Sequence, residues 1–208
     1  MATQTKTTSA PATSPLKNGE VDWKLIETLE GGCVSKAYVP DPENSQSGVT
    51  VSFGVDLGQL DKIGLSILPV PEDLKDQLRP YIGLRKEKAV AALKAKPLNV
   101  PYAQGVQLYK AIKERNLKVL VLKYDRVSRV PFKDLPSAAC TILASVGFQY
   151  GPNLNERCPT FWKWCRRQRW DDAINELRNF KDRYPTRRNK EADYLKSNME
   201  KLKDEIKD

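Results

Sequence analysis

Between Val49 and Asp56 apolar and polar positions alternate strictly. Val49, Val51, Phe53 and Val55 fall on one face, and Thr50, Ser52, Gly54 and Asp56 on the other. A period of two predicts a half-buried β-strand. Upstream the period lengthens: Val21, Leu25, Ile26 and Leu29 predict a short amphipathic helix ending at Gly31-Gly32. The segment from Gly32 to Gly48 is rich in turn formers and reads as a loop. Pro71-Glu72-Asp73 and the Lys/Ala-rich stretch from Arg85 to Lys96 predict two further helices, either of which is a candidate connector between lobes. From Tyr102 onward the pattern is helical, with breaks expected near Asn116, Pro131, Pro152 and Pro185.

Ser137 to Tyr150 is apolar nearly all round, which places it in the middle of a helical bundle. Trp162, Trp164 and Trp170 are expected to pack around it rather than to form a sugar platform. The charged run from Lys190 to Asp208 reads as a solvated helix face or tail. The composite is a small lobe with some strand followed by a helical lobe.

Distance arithmetic refines the strand. Fully extended, Thr50 and Asp56 would stand ~20 Å apart at 3.3 Å per residue, too far to serve one bond. A fold-back at Ser52-Phe53-Gly54, with glycine where a three-residue loop needs a left-handed residue, makes them direct cross-strand partners about 5 Å apart. A hydroxyl and a carboxylate held together in this way can orient a water molecule. Glu30, in the last turn of the first helix, sits where the negative end of the dipole disfavours a second negative charge. That suits a carboxyl acting as a proton donor. An acid on one side and a water-holding pair on the other are what inverting glycoside hydrolysis requires.

Composition narrows the chemistry. The 208-residue chain contains no histidine. This excludes the Ser-His-Asp triad, the Cys-His pair and imidazole metal sites. Acid–base work therefore falls to Asp, Glu, Lys or Tyr. The four cysteines, Cys33, Cys140, Cys158 and Cys165, contain no CxxC pair. Free thiols are expected, with a Cys158–Cys165 disulfide as the alternative; no metal or cofactor is expected. The formal charge of +9 suits a polyanionic partner, whether cell-wall polymer, headgroup or nucleic acid. Residues 1–19 are rich in Thr, Ser, Ala and Pro without an apolar stretch, so neither a signal peptide nor a membrane anchor is expected.

LEGG at 29–32, AYVP at 37–40 and SGVTVSFGVDLGQ at 47–59 together resemble the pesticin-like family of peptidoglycan hydrolases, relatives of the phage-type lysozymes. Glu30-Gly31, Thr50 and Asp56 match the family's Glu-Gly, strand Thr and Asp six residues later. The resemblance continues through YIGLR at 81–85, LPSAACTILASVGFQYG at 135–151, TFWKWCRRQRWDDAINELRNF at 160–180 and DRYPTRRNKEAD at 182–193. It implies an α+β, lysozyme-like fold of two lobes joined by a helix. The implied activity is hydrolysis of the β-1,4 bond between N-acetylmuramic acid and N-acetylglucosamine.

Under that resemblance Glu30 is the acid, and Asp56 and Thr50 position the water. Arg187 pairs with the acid, with Arg188 as its neighbouring substitute, and Gln149 lies near the cleft. Glu27 and Asp41 are the rival carboxylates, and Ser52 stands where the family's turn usually has glycine. The expected organisation is a disordered lead over 1–20, a catalytic domain over 21–195 (small lobe about 21–80, helical lobe about 100–195) and a charged tail over 196–208. The expected partner is peptidoglycan, met by a monomer without nucleic acid or a membrane span. The chain would be made in the cytoplasm and act at the cell wall after delivery by a holin or a secretion system. In the second case an immunity protein is expected. The other reading is a non-catalytic basic module that binds cell wall or nucleic acid.

Overall fold

The computed structural model describes residues 16–205. In chain order these form α1 (Trp23–Glu30), β1 (Val34–Tyr38), β2 (Thr50–Ser52), β3 (Val55–Asp56), α2 (Lys62–Ser66), α3 (Glu72–Leu78) and α4 (Lys86–Ala95). There follow α5 (Tyr102–Asp125), α6 (Ser137–Tyr150), α7 (Leu154–Arg157), α8 (Pro159–Cys165), α9 (Trp170–Arg178) and α10 (Pro185–Glu205). Residues 1–15 of the expected lead, and 206–208 of the expected tail, lie outside the described residues. The residues just after 15 are docked: the Gly19 N–H donates to the Leu135 carbonyl at 2.9 Å.

The strands form one antiparallel sheet in the order β1-β2-β3. Thr50 pairs with Asp56 and Val51 with Val55, leaving Ser52-Phe53-Gly54 as the loop, with Gly54 at φ +80°. The alternation and the glycine thus predict the hairpin that forms. Its polar face differs from the expectation of a half-buried strand, because Thr50 and Ser52 are buried along with Val51. Ser52 itself has a left-handed φ of +56° and donates to the Gly105 carbonyl at 2.7 Å. A Cβ on Gly105 would stand 3.0 Å from Ser52 Oγ, so the hairpin rests directly on the α5 backbone.

The segment read as a loop contains β1. Only Ala37 of its five residues is buried, so it carries no period of two. It is held by backbone pairing with β2 and by Ala37 N–H to Leu98 O (3.0 Å) and Val100 N–H to Ser35 O (2.9 Å).

Two apolar cores lie end to end. The first gathers Val49, Val51, Leu57, Leu74, Leu78 and Leu108 with their neighbours between Ala37 and Ala111. The second surrounds α6, every residue of which from Ala138 to Gly147 is buried, as its apolar pattern predicts. Trp162 is buried in this second core, and Trp164 and Trp170 pack against it.

The helix joining the cores is α5 rather than α3 or α4. Leu108, Tyr109 and Ala111 belong to the first core, Leu120 and Tyr124 to the second. It runs unbroken through Asn116, where a break was expected; asparagine lowers helix propensity by only tenths of a kcal/mol, and packing at both ends outweighs that. Val21, just ahead of α1, and Ile26 within it lie in the core of the helical lobe. In α10, Ala192, Leu195 and Met199 are buried, so the charged run is a helix packed on the bundle by one face, the first of its two expected forms. All four cysteines are free. Among the described residues no helix is long and apolar enough to cross a membrane.

Ser52→Ala keeps the left-handed strain and removes a buried hydrogen bond, so it is expected to cost about 1–2 kcal/mol and lower the unfolding midpoint by several degrees. Ser52→Gly relieves the strain and is expected to cost less. Thermal unfolding of both variants checks the order.

Candidate active site

Glu30 owes its position to both ends of α1. Asp22 caps the start, accepting the Leu25 N–H at 3.0 Å and the Tyr194 hydroxyl at 3.1 Å, while its own N–H donates to Thr141 Oγ1 at 2.8 Å. Trp23 stacks on Phe148 with centroids 5.7 Å apart. The helix stops at Gly31, whose φ of +83° suits glycine. The last carboxyl of α1 is thereby held against α5 and α10.

Two cations meet that carboxyl on one oxygen. Lys113 Nζ lies 3.2 Å and Arg187 Nη2 3.1 Å from Glu30 Oε1. The side chains of Glu30, Lys113 and Arg187 are 12%, 9% and 11% exposed, so water screens the contact little. Arg187 also donates to the Leu29 carbonyl at 3.3 Å, satisfying an orphan acceptor at the helix end. No α1 residue in the last turn supplies a cation; the neighbouring helices do.

Behind Arg187 the network deepens. Its Nε donates to Glu191 Oε1 at 3.1 Å, and its Nη2 to Ser145 Oγ at 3.1 Å. Glu191 and Arg188 are buried and paired with each other, and Arg188 also donates to Asp182 at 2.8 Å and to Gln149 Oε1. Burial raises the Asp182 carboxyl, but donation from Tyr150, from the Tyr184 N–H and from Arg188 outweighs it and holds the group below its ordinary range. Burial pulls Arg188 down, and its carboxylate partners Glu191 and Asp182 more than reverse that. Glu30, Glu191 and Asp182 thus face Lys113, Arg187 and Arg188.

Across the small lobe, Asp56 sits in a backbone cradle. Its Oδ1 accepts the N–H groups of Gly48 (3.0 Å) and Gly58 (2.8 Å), and Gln59 Nε2 lies 3.4 Å from its Oδ2. The cradle needs glycine: a Cβ on Gly48 would come within 2.4 Å of the Leu84 carbonyl and 2.6 Å of the Gly58 backbone. Arg85 braces it by donating to Gly58 O and Gln59 Oε1, each at 3.1 Å. Thr50, the cross-strand partner of Asp56, makes a 3.4 Å contact to the Gly48 carbonyl.

One helix connects the two halves. On α5, Tyr102, Gly105, Tyr109 and Lys113 follow at three- and four-residue spacing and share a face. Gly105 receives Ser52, Tyr102 and Tyr109 pack against Phe53, and Lys113 pairs with Glu30. The eight residue steps from Gly105 to Lys113 span about 12 Å at 1.5 Å per residue.

The rival carboxylates lie elsewhere. Glu27 is exposed and, with Trp23, Lys110 and Glu114, lines a cavity of about 200 Å³ one turn back along α1 and α5. Asp41, exposed at φ +40°, accepts the Asn44 N–H and side-chain amide within its own loop. Gln149 is held by Arg188, behind Arg187. Sequence reasoning missed Lys113, Glu191, Gly48, Gly58 and Arg85. For Lys113 the one available signal was its place on the Gly105–Tyr109 face.

The family model for Pesticin, described as the bacterial toxin homologue of phage lysozyme (C-terminal), matches residues 20–171. The match covers most of the chain, which belongs to that family. No curated protein matches the sequence.

Removing Arg187 strips Glu30 of one cation and Glu191 of one of two. Arg187→Met is expected to destabilise the fold by about 3 kcal/mol. Glu30→Gln combined with Arg187→Met is expected to cost less than the sum of the single changes, because each of them removes the same Glu30–Arg187 ion pair. Denaturant unfolding of the three variants checks both statements.

Proposed function

From its membership of this family of phage-lysozyme homologues, we propose that the chain hydrolyses peptidoglycan at the β-1,4 bond between N-acetylmuramic acid and N-acetylglucosamine, with inversion. Glu30 protonates the leaving oxygen. Asp56 and Thr50 hold the water that attacks the anomeric carbon from the opposite face, Asp56 through its Oδ2, since Oδ1 is taken by the cradle. The observation that carries this reading is the placement of both groups against one helix. Glu30 is fixed to Lys113, and the hairpin that pairs Thr50 with Asp56 rests on Gly105 of the same α5.

Roles divide by environment. Both hydrogen bonds to Glu30 fall on Oε1, so Oε2 is the atom for the leaving oxygen. As the acid gives up its proton, Arg187 stabilises the carboxylate that forms. The Gly48 and Gly58 N–H groups orient the Asp56 carboxylate through Oδ1, with Gln59 at Oδ2. Arg188 and Gln149 act behind Arg187, keeping its guanidinium in register. The surplus of cations draws the chain to an anionic envelope. Its site of action is the cell wall, reached through a holin or a secretion system; with the latter an immunity protein accompanies it.

Purified sacculi incubated with the chain are expected to release muropeptides. Glu30→Gln and Asp56→Asn are each expected to lower the rate by roughly 10²–10⁴-fold. A wild type that releases none, or variants that keep the full rate, would overturn the reading. Salt-sensitive DNA binding without release would favour a basic binding module instead.

A further inference from the structure

Lys113 is an unusual lysine. It is buried on α5 where the helix passes from one core to the other, between Ala111 and Leu120. An ammonium has three N–H donors, yet among the described residues Nζ has one hydrogen-bond acceptor, Glu30 Oε1 at 3.2 Å. Two aromatic faces also lie over it, Phe148 at 4.6 Å and Tyr109 at 5.2 Å. An amine, with two N–H groups and a lone pair, is easier to satisfy there. Burial accordingly pulls the Lys113 ammonium below the ordinary lysine range, and Arg187 adds to that, against the opposing pull of Glu30.

A proton shift from Lys113 to Glu30 leaves the charge balance of the network unchanged. With Lys113 as ammonium and Glu30 as carboxylate, three cations face three carboxylates. With the proton moved from Nζ to Glu30, Arg187 and Arg188 still balance Glu191 and Asp182. Both forms leave the interior neutral, which a low-dielectric site demands. The groups bearing on Lys113 are Glu30 from α1, Arg187 from α10 and Tyr109 from its own helix, while α6 contributes the Phe148 ring. The Tyr109 hydroxyl has no hydrogen-bond partner among the described residues, and burial holds it as the phenol, so it takes no part in the exchange.

We propose that Lys113 is a positioning residue that stores the proton Glu30 delivers; this rests on the assignment of Glu30 as the acid. The Nζ ammonium passes a proton to Glu30 across their 3.2 Å hydrogen bond. Rotation about the soft terminal torsion of glutamate presents it to the cleft. The bond from the anomeric carbon to the leaving oxygen breaks, its electron pair going to that oxygen, which takes the proton. Water adds to the anomeric carbon and gives its own proton to Asp56, which releases it to solvent. Lys113, left as an amine, regains a proton from solvent.

Two measurements test this. In the resting wild type, the ¹³Cε resonance of Lys113 is expected to titrate at lower pH than those of the exposed lysines; titration together with them would overturn the proposal. Because arginine keeps its proton, Lys113→Arg is expected to lower muropeptide release at neutral pH by roughly 10²-fold, with partial recovery on acidification. Lys113→Met is expected to stay well above Lys113→Arg, since Glu30 is then protonated directly from solvent. A fully active Lys113→Arg beside an inactive, folded Lys113→Met would show that only a fixed positive charge is needed and would overturn the proposal. An inactive wild type overturns the assignment of Glu30 instead, and the resonance titration, read without turnover, separates the two failures.

Discussion

The arrangement depends on a single carboxylate oxygen shared by two buried cations. Glu30 Oε1 takes Lys113 from α5 and Arg187 from α10, and so ties the end of α1 to two helices distant in sequence. A buried ion pair is a poor source of net stability, but it is unforgiving of misplacement, because each partner left alone is strongly penalised. This makes the contact a positional constraint more than a source of strength. Its extension through Glu191, Arg188 and Asp182 spreads that constraint over the C-terminal half of the helical lobe.

The small lobe solves the matching problem with backbone groups. Asp56 is fixed by two peptide N–H groups, and those are brought close by the contact of Gly48 with Gly58 under the Leu84 carbonyl. The hairpin carrying it sits on α5 through Ser52, which accepts left-handed strain in return for its bond to Gly105. A rigid helix therefore sets the separation between a side-chain ion network and a backbone cradle. Motion of one lobe against the other must bend α5 or break one of these seats.

The hairpin was legible in the sequence because strict alternation, a glycine and a distance argument all led to the same fold-back. The central helix was legible because Ser137 to Tyr150 has no polar face to place in water. By contrast β1 was hidden, since a strand with one buried residue carries no period. The unity of α5 was hidden by Asn116, where the helix changes cores and its apolar stripe is interrupted. Glu30, Thr50 and Asp56 follow from the helix end and the fold-back as well as from the family motif, and Arg187 from the resemblance alone, but their environment was only half visible. The two donors to Asp56 Oδ1 are peptide groups, which a sequence does not distinguish from any others. Lys113, set in the charged run KAIKERNLK, looks like any solvated lysine until α1 is packed against it.

The central claim is that an acid on α1 and a water held by the hairpin act on opposite faces of one sugar. The most direct measurement is the anomeric configuration of the first-formed product from a soluble peptidoglycan oligosaccharide, followed by proton NMR before mutarotation. Inversion of the β-linkage predicts that the new reducing end appears first as the α-anomer. A β-anomer would mean retention, and would contradict the assignment of Asp56 and Thr50 to water.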